Sequence, residues 1–164
     1  MKMKLKLALF SFLLFCCSGV SAQNARGYIF FAPGGETALG SKGGTTSAYG
    51  AGGGVELLLT PHFGVGAEAS AVVPAQGPAS NTLGIFSVSS YGHLWRDRSF
   101  DPYILGGYSV AFRDFSGNGG NFGLGTNYWF HENVGLVLEG RDHYFKLQGI
   151  PAHVWEFRIG LTFR

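Results

Sequence analysis

From Val154 to Arg164 the chain reads V-W-E-F-R-I-G-L-T-F-R, with Trp155, Phe157, Ile159, Leu161 and Phe163 on one parity and Glu156, Arg158, Gly160 and Thr162 on the other. A period of two puts alternate residues on opposite faces, so this stretch reads as a β-strand. One face is apolar and aromatic without a break. The other carries a carboxylate and a guanidinium two residues apart. In a water-soluble sheet the charged face would meet solvent and the apolar row a core. In a membrane barrel the apolar row faces lipid and the charges line the lumen. One strand fits both arrangements, so the rest of the chain has to decide.

Lys2, Lys4 and Lys6 precede an apolar run from Leu7 to Phe15, and Val20-Ser21-Ala22 supplies the small residues that a signal peptidase reads. This pattern is a secretory signal with cleavage expected after Ala22, leaving residues 23–164 as a single domain. The run is too short for a spanning helix, which needs roughly 20 residues. Phe15 and Cys16 stand where a lipoprotein signal wants a small residue before its cysteine. The signal takes three of the twelve Lys and Arg, leaving nine against ten Asp and Glu, so no basic surface remains to hold a nucleic acid. It also takes both cysteines, Cys16 and Cys17, so no disulfide framework is available to the exported part.

The remaining chain divides into seven further strands. Arg26 to Ala32 ends at Pro33-Gly34-Gly35, and Pro33 to Ser47 is expected to be a loop. Ala48 to Leu59 places Val55, Leu57 and Leu59 against Gly50, Gly52, Gly54 and Glu56, and stops at Thr60-Pro61-His62. Phe63 to Val73 alternates Phe63, Val65, Ala67, Ala69, Ala71 and Val73 outward with Gly64, Gly66, Glu68 and Ser70 inward; Pro74 to Ser80 is a loop. Thr82 to Trp95 places Phe86, Val88 and Leu94 outward and Ser87, Ser89, Tyr91 and His93 inward, before a charged turn from Arg96 to Asp101. Pro102 to Phe112 and Gly120 to Phe130 flank a loop from Arg113 to Gly119, and Val134 to Lys146 follows a turn at His131-Glu132-Asn133.

Eight strands with long polar connections after the odd ones and shorter ones after the even ones point to an all-β, eight-stranded, antiparallel up-and-down transmembrane barrel. Glycine is frequent (27 residues), as is phenylalanine (15), and only 13% of residues are charged, a mixture unusual for a soluble domain. A soluble barrel would reverse the faces, apolar in and charged out. In every strand here the apolar parity carries almost no charge.

Three motifs carry a resemblance. The alternating aromatics of the last strand, up to Phe163, are similar to the C-terminal signal recognised by the outer-membrane assembly machinery. Asp101-Pro102-Tyr103-Ile104-Leu105-Gly106-Gly107-Tyr108 resembles the P-Y-x-x-x-G-x-G type of strand of small OmpA-like and porin-family barrels. Leu138-Glu139-Gly140-Arg141-Asp142 is similar to their E-x-R-D penultimate strand. Arg164 departs from the pattern, since it follows the aromatic that normally ends such chains. The resemblance implies outer-membrane localisation in a Gram-negative envelope. It also implies contact with membrane lipid and lipopolysaccharide, engagement of the assembly machinery through Trp155 to Phe163, and a monomer. The peptidoglycan-binding domain that often follows such barrels has no counterpart here, and that tether is not carried over.

The inward parity collects Arg26, Glu56, Glu68, Glu139, Arg141, Glu156 and Arg158. Unpaired buried charges are costly, so these are expected to form a lumen charge network. Like charges avoid facing one another across strands, and a slip of two residues would oppose them, so the last two strands are expected to pair in the register that sums partner numbers to 297, with Arg141 opposite Glu156 and Glu139 opposite Arg158. Glu56 opposite Gly66 and Glu68 opposite Gly54 would leave space for arginines reaching across. The network reads either as a plug or as a gated ion path, and the narrow interior of an eight-stranded barrel favours the plug.

Outward aromatics near strand ends, Phe63, Tyr128, Phe130 and Phe163 at one end and Phe112, Tyr144 and Trp155 at the other, fit interfacial girdles. A lipid-modifying enzyme of this size would need a Ser two residues after a strand-end His. After His143 that position holds Phe145. The five His are scattered and no Cys remains, so neither a metal site nor any cofactor is expected. The expected role is structural or surface-interacting, through the loops. The alternatives are a narrow pore for ions or small solutes and an outer-membrane lipid-modifying enzyme.

Overall fold

The computed structural model describes residues 24–38, 44–76, 82–95, 99–112, 116–147 and 150–164. The expected signal segment lies outside these residues. Eight strands, β1 (Ala25–Ala38), β2 (Thr45–Thr60), β3 (Phe63–Pro74), β4 (Leu83–His93), β5 (Phe100–Phe112), β6 (Ser116–Trp129), β7 (Val134–Leu147) and β8 (Ile150–Phe163), close into one barrel. Every neighbour pair is antiparallel, and β8 returns to β1 through pairs such as Gly27 with Phe163 and Phe31 with Ile159. Closure leaves no sheet edge, the condition for a backbone surrounded by hydrocarbon. The even strand count brings the start of β1 and the end of β8 to one end, here called the near end.

Alternation sorts each strand into a lumen face and an outer face. Ile104, Phe122 and Leu124 are 62%, 64% and 70% exposed, whereas Arg158 and Asp101 are buried within. The soluble arrangement is therefore inverted. Among the described strand residues, acidic and basic side chains on the outer parity are confined to Asp142, Lys146 and His153 on β7 and β8, toward the far end. His153 Nδ1 lies 2.7 Å from Asp142 Oδ2.

Register follows from the turns and from charge. The turn at Pro61-His62 sets β2 against β3, so Gly54 faces Glu68 and Glu56 faces Gly66, with a register shift between Leu58 and Thr60. Strands β7 and β8 pair in the 297 register, Glu139 opposite Arg158 and Arg141 opposite Glu156.

The strands run further than hydrophobic alternation alone indicated. Pro33-Gly34-Gly35 does not end β1. Gly34 and Gly35 pair with Glu156 and Trp155 of β8, and Thr37 pairs with Thr45 of β2, so most of the expected Pro33–Ser47 loop is ladder. Backbone hydrogen bonding continues there because both neighbours are present, whatever the side chains. Ser116 to Gly119, also read as loop, belong to β6 and pair with β5. Pro74 closes β3, while residues 77–80 of the expected Pro74–Ser80 loop lie outside the described residues. The connection after β7 spans only 148–149 and that after β5 only 113–115, whereas that after β4 spans 94–99. The expected alternation of long and short connections thus holds for the first three, 39–44, 61–62 and 75–82, and fails from β4 onward.

A cation on the belt separates a lipid-facing exterior from a soluble one. Leu124→Arg is expected to lower the stability of the barrel refolded into phospholipid vesicles by about 2 kcal/mol, read from urea titration of the folded fraction. A water-facing surface would show a change within about 0.5 kcal/mol.

Candidate functional site: the lumen charge network

The inward parities of eight strands converge on a space that side chains fill. From the near end to the far end they form a polar lower half, a central ion-pair cluster and an apolar stopper.

At the near end, Arg26 of β1 donates from Nη1 to Asp101 Oδ2 at 2.7 Å. His93 of β4 bridges two carboxylates, with Nδ1 2.9 Å from Asp101 Oδ1 and Nε2 2.7 Å from Glu56 Oε1. An ionised carboxylate only accepts, so with both ionised His93 donates on both sides and serves as a further cation. Asp101, which the sequence placed in a charged turn, is the second residue of β5 and fully buried. The charge run hid it, because Asp101 shares the inward parity of Ser109 and Ala111 and belongs to their face.

Arg158 holds the centre. Its Nη1 donates to Glu68 at 2.8 Å across the lumen and to Glu139 at 3.1 Å, and its Nη2 and Nε donate to Glu156 Oε2 at 2.5 and 2.8 Å. The guanidinium also lies 4.2 Å from the centroid of the Phe30 ring, a cation–π contact on its remaining face. Arg141 donates from Nε to Glu139 at 2.6 Å and faces Glu68 at 3.2 Å. The ion pairs thus run mainly along a strand, i to i+2, and across the barrel. Glu139 with Arg158 is a contact between facing partners, but Arg141 does not bond to Glu156, although their backbones are opposite. Side chains in a tilted barrel lean along the strand, so backbone opposition does not dictate which charges meet.

All seven lumen residues drawn from sequence, Arg26, Glu56, Glu68, Glu139, Arg141, Glu156 and Arg158, are buried in this interior. Asp101, His93 and three tyrosines complete the network. Among the described residues, five carboxylates then face three arginines and His93, and neutral hydroxyls make up donors: Tyr28 to Glu68 at 2.9 Å and Tyr103 to Glu139 at 2.8 Å. The Tyr91 hydroxyl lies 3.0 Å from that of Tyr28 and accepts from Arg141 at 3.4 Å. The inward glycines make room for these rings rather than for arginines: a Cβ on Gly54 would sit 2.7 Å from the Tyr28 hydroxyl, and one on Gly125 2.7 Å from that of Tyr103. Tyrosines at alternate inward positions were the available sequence signal.

Above the cluster, Ser109, Asn121, Ser87 and Ser89 form a hydroxyl and amide layer, with Ser109 Oγ 3.0 Å from His143 Nδ1 and 2.8 Å from Asn121 Nδ2. Ser109, His143 and Glu156 are the residue types of a nucleophilic triad, but His143 Nε2 is 3.7 Å from Glu156 and faces an arginine nitrogen at 3.2 Å. His143 and Ser109 are fully buried, and Phe145 stacks on His143 with centroids 5.8 Å apart. No acyl group reaches Ser109 in this arrangement. No His, Asp and Glu cluster suited to a metal ion occurs among the described residues.

The far end is closed by an apolar stopper that the sequence reading missed: Ala48, Val72, Leu83, Ile85, Ala111, Phe145 and Val154 pack together, all on inward parity. They sit where a polar lumen was expected, and their inward parity is the signal. Outside, Phe63, Tyr128, Phe130 and Phe163 are exposed toward the near end and Phe112, Tyr144 and Trp155 toward the far end.

This geometry has solved counterparts. Neisserial surface protein A is 14% identical, covering 84% of this chain and 96% of its own with a TM-score of 0.68. The N-terminal β-barrel domain of Pseudomonas aeruginosa OprF is 18% identical over 85% of this chain and 96% of its own, TM-score 0.57. Ail, the attachment invasion locus protein of Yersinia pestis, is 14% identical over 85% and 99%, TM-score 0.54. The chain has the fold of the small outer-membrane barrels. No protein-family model and no curated protein matches the sequence. At these identities the likeness speaks for the fold and leaves the role to the site.

Removing one partner of a buried ion-pair cluster leaves uncompensated charge. Arg158→Met is expected to cost about 3–5 kcal/mol in vesicle-refolded barrel, measured by urea titration, because Glu68, Glu139 and Glu156 all lose a donor. Adding Glu68→Gln to Arg158→Met should recover part of that loss.

Proposed function

We propose that residues 23–164, released from a signal cut after Ala22, form a monomeric barrel in the outer membrane of a Gram-negative cell. Its role is structural or surface-interacting, without catalysis, and its lumen is plugged rather than conducting. The observation that carries this reading is the inverted burial: an apolar, aromatic-bounded exterior around charges that are paired with one another and shut in by an apolar stopper. Such an exterior is stable against hydrocarbon and not against water. The interior acids and bases are interleaved and pair with one another, so they do not form a ring of one sign of the kind that selects ions.

On this reading the girdles of Phe63, Tyr128, Phe130 and Phe163 and of Phe112, Tyr144 and Trp155 settle the barrel against membrane lipid and lipopolysaccharide. The alternating aromatics from Trp155 to Phe163 are the segment offered to the assembly machinery. Recognition of anything outside the cell falls to the far-end rim. Two of the structural neighbours are named for surface and attachment roles, which is the same class.

A narrow pore is the second reading, favoured by a cavity of about 10 Å³ lined by Arg26, Glu56, Glu139 and three tyrosines in the lower half. Planar-bilayer recording on residues 23–164, with folding verified by a heat-dependent gel shift, separates the two. The plugged barrel is expected to be silent. Discrete steps that change when Arg141 or Glu156 is neutralised would establish the pore.

A further inference from the structure

The near end of the lumen is closed differently from the far end. Trp129, inward on β6 and buried, lies between two guanidinium groups: Arg26 from the lumen side at 5.4 Å from its ring centroid and Arg164 from the outside at 4.2 Å. Arg164 follows Thr162 on the inward parity of β8, which aims it across the mouth rather than into the belt. It is fastened to the β6–β7 turn, with Nε donating to the Glu132 carbonyl at 2.6 Å and its backbone N–H to the Asn133 carbonyl at 3.2 Å. Those anchors are solvent-exposed, unlike the buried ion pairs above them.

Arg26, which Trp129 faces from the mouth side, also lines a cavity of about 10 Å³ together with Glu56, Asn127 and Thr162. The Nε and Nη2 of Arg26 are buried and find no acceptor among the described residues. The space and the donors suit one water molecule, which needs two to four polar partners and roughly 10–15 Å³. Between this cavity and the far rim stand the ion-pair cluster, the layer of Ser87, Ser89, Ser109 and Asn121, and the apolar stopper.

We propose that Arg164 on Trp129 is a gate at the near mouth, which admits water to a site at Arg26 while the far end stays sealed. The hydrogen bond that ties the Arg164 side chain to the β6–β7 turn is exposed, the kind of contact that opens readily, whereas the stopper is held by packing. The lower lumen is then a blind vestibule hydrated from one side. This deepens the plugged-lumen reading and rests on it for the closed far end.

The exported chain has no cysteine, so a single reporter thiol tests access. Thr162→Cys places a thiol in the cavity wall, and Val154→Cys places one in the stopper. Each is refolded into vesicles, its gel shift is recorded, and its rate of modification by a quaternary-ammonium methanethiosulfonate is measured. Adding Arg164→Ala to Thr162→Cys is expected to raise the rate at least tenfold, and adding Trp129→Ala at least as much, while the Val154→Cys rate stays within twofold of its own background under either change. Equal rates with and without the Arg164 side chain in folded samples would overturn the gate. So would parallel acceleration at both reporters, which would mean general loosening. Loss of the gel shift in the background itself would count against the membrane-barrel reading instead, and discrete conductance in the unaltered barrel would count against the plugged lumen.

Discussion

Everything in the interior depends on where three carboxylates can share one guanidinium. Arg158 gathers Glu68 from β3, Glu139 from β7 and Glu156 from its own strand, with Phe30 of β1 against its face. A charge removed from water costs several kcal/mol unless its partners replace the lost solvation, and here the replacement comes from strands far apart in sequence. Barrel closure brings those strands within reach of one another. The ion pairs in turn tie opposite walls together across the lumen.

The same constraint divides the lumen by chemistry. Where the strands supply charge, tyrosine hydroxyls and His93 complete the pairing; where they supply Val, Leu, Ile and Phe, packing alone closes the far end. The exterior needs neither device, because lipid asks only for apolar surface with aromatic edges. Of the two rims, the near one carries an exposed arginine and the far one is backed by a hydrophobic seal.

Much of this was legible in residues alone, since parity is a local property. Glu56 among the glycines of β2, Glu139 and Arg141 on β7, and Glu156 and Arg158 on β8 each lie opposite the apolar row of their own strand, which suffices to send them inward once the exterior is lipid. The 297 register was accessible for a related reason: two charged pairs leave few pairings without like charges opposed. Asp101 escaped because a run of charge before a proline reads as a turn, and the strand ends escaped because Pro33-Gly34-Gly35 and Ser116 to Gly119 lack hydrophobic alternation. Their strand state comes from neighbours on both sides, not from their own side chains.

The sequence by itself determined the strand order, the faces and the pairing of β7 with β8, because the two-residue period and adjacent charges act over a few residues. Only the tertiary structure decided which charges touch, that tyrosines rather than arginines occupy the space above Gly54 and Gly66, and that the two ends close by different means. Those outcomes depend on how strands tilt around a closed ring and bring residues many positions apart to one height. No local pattern encodes that height, and closure supplies it.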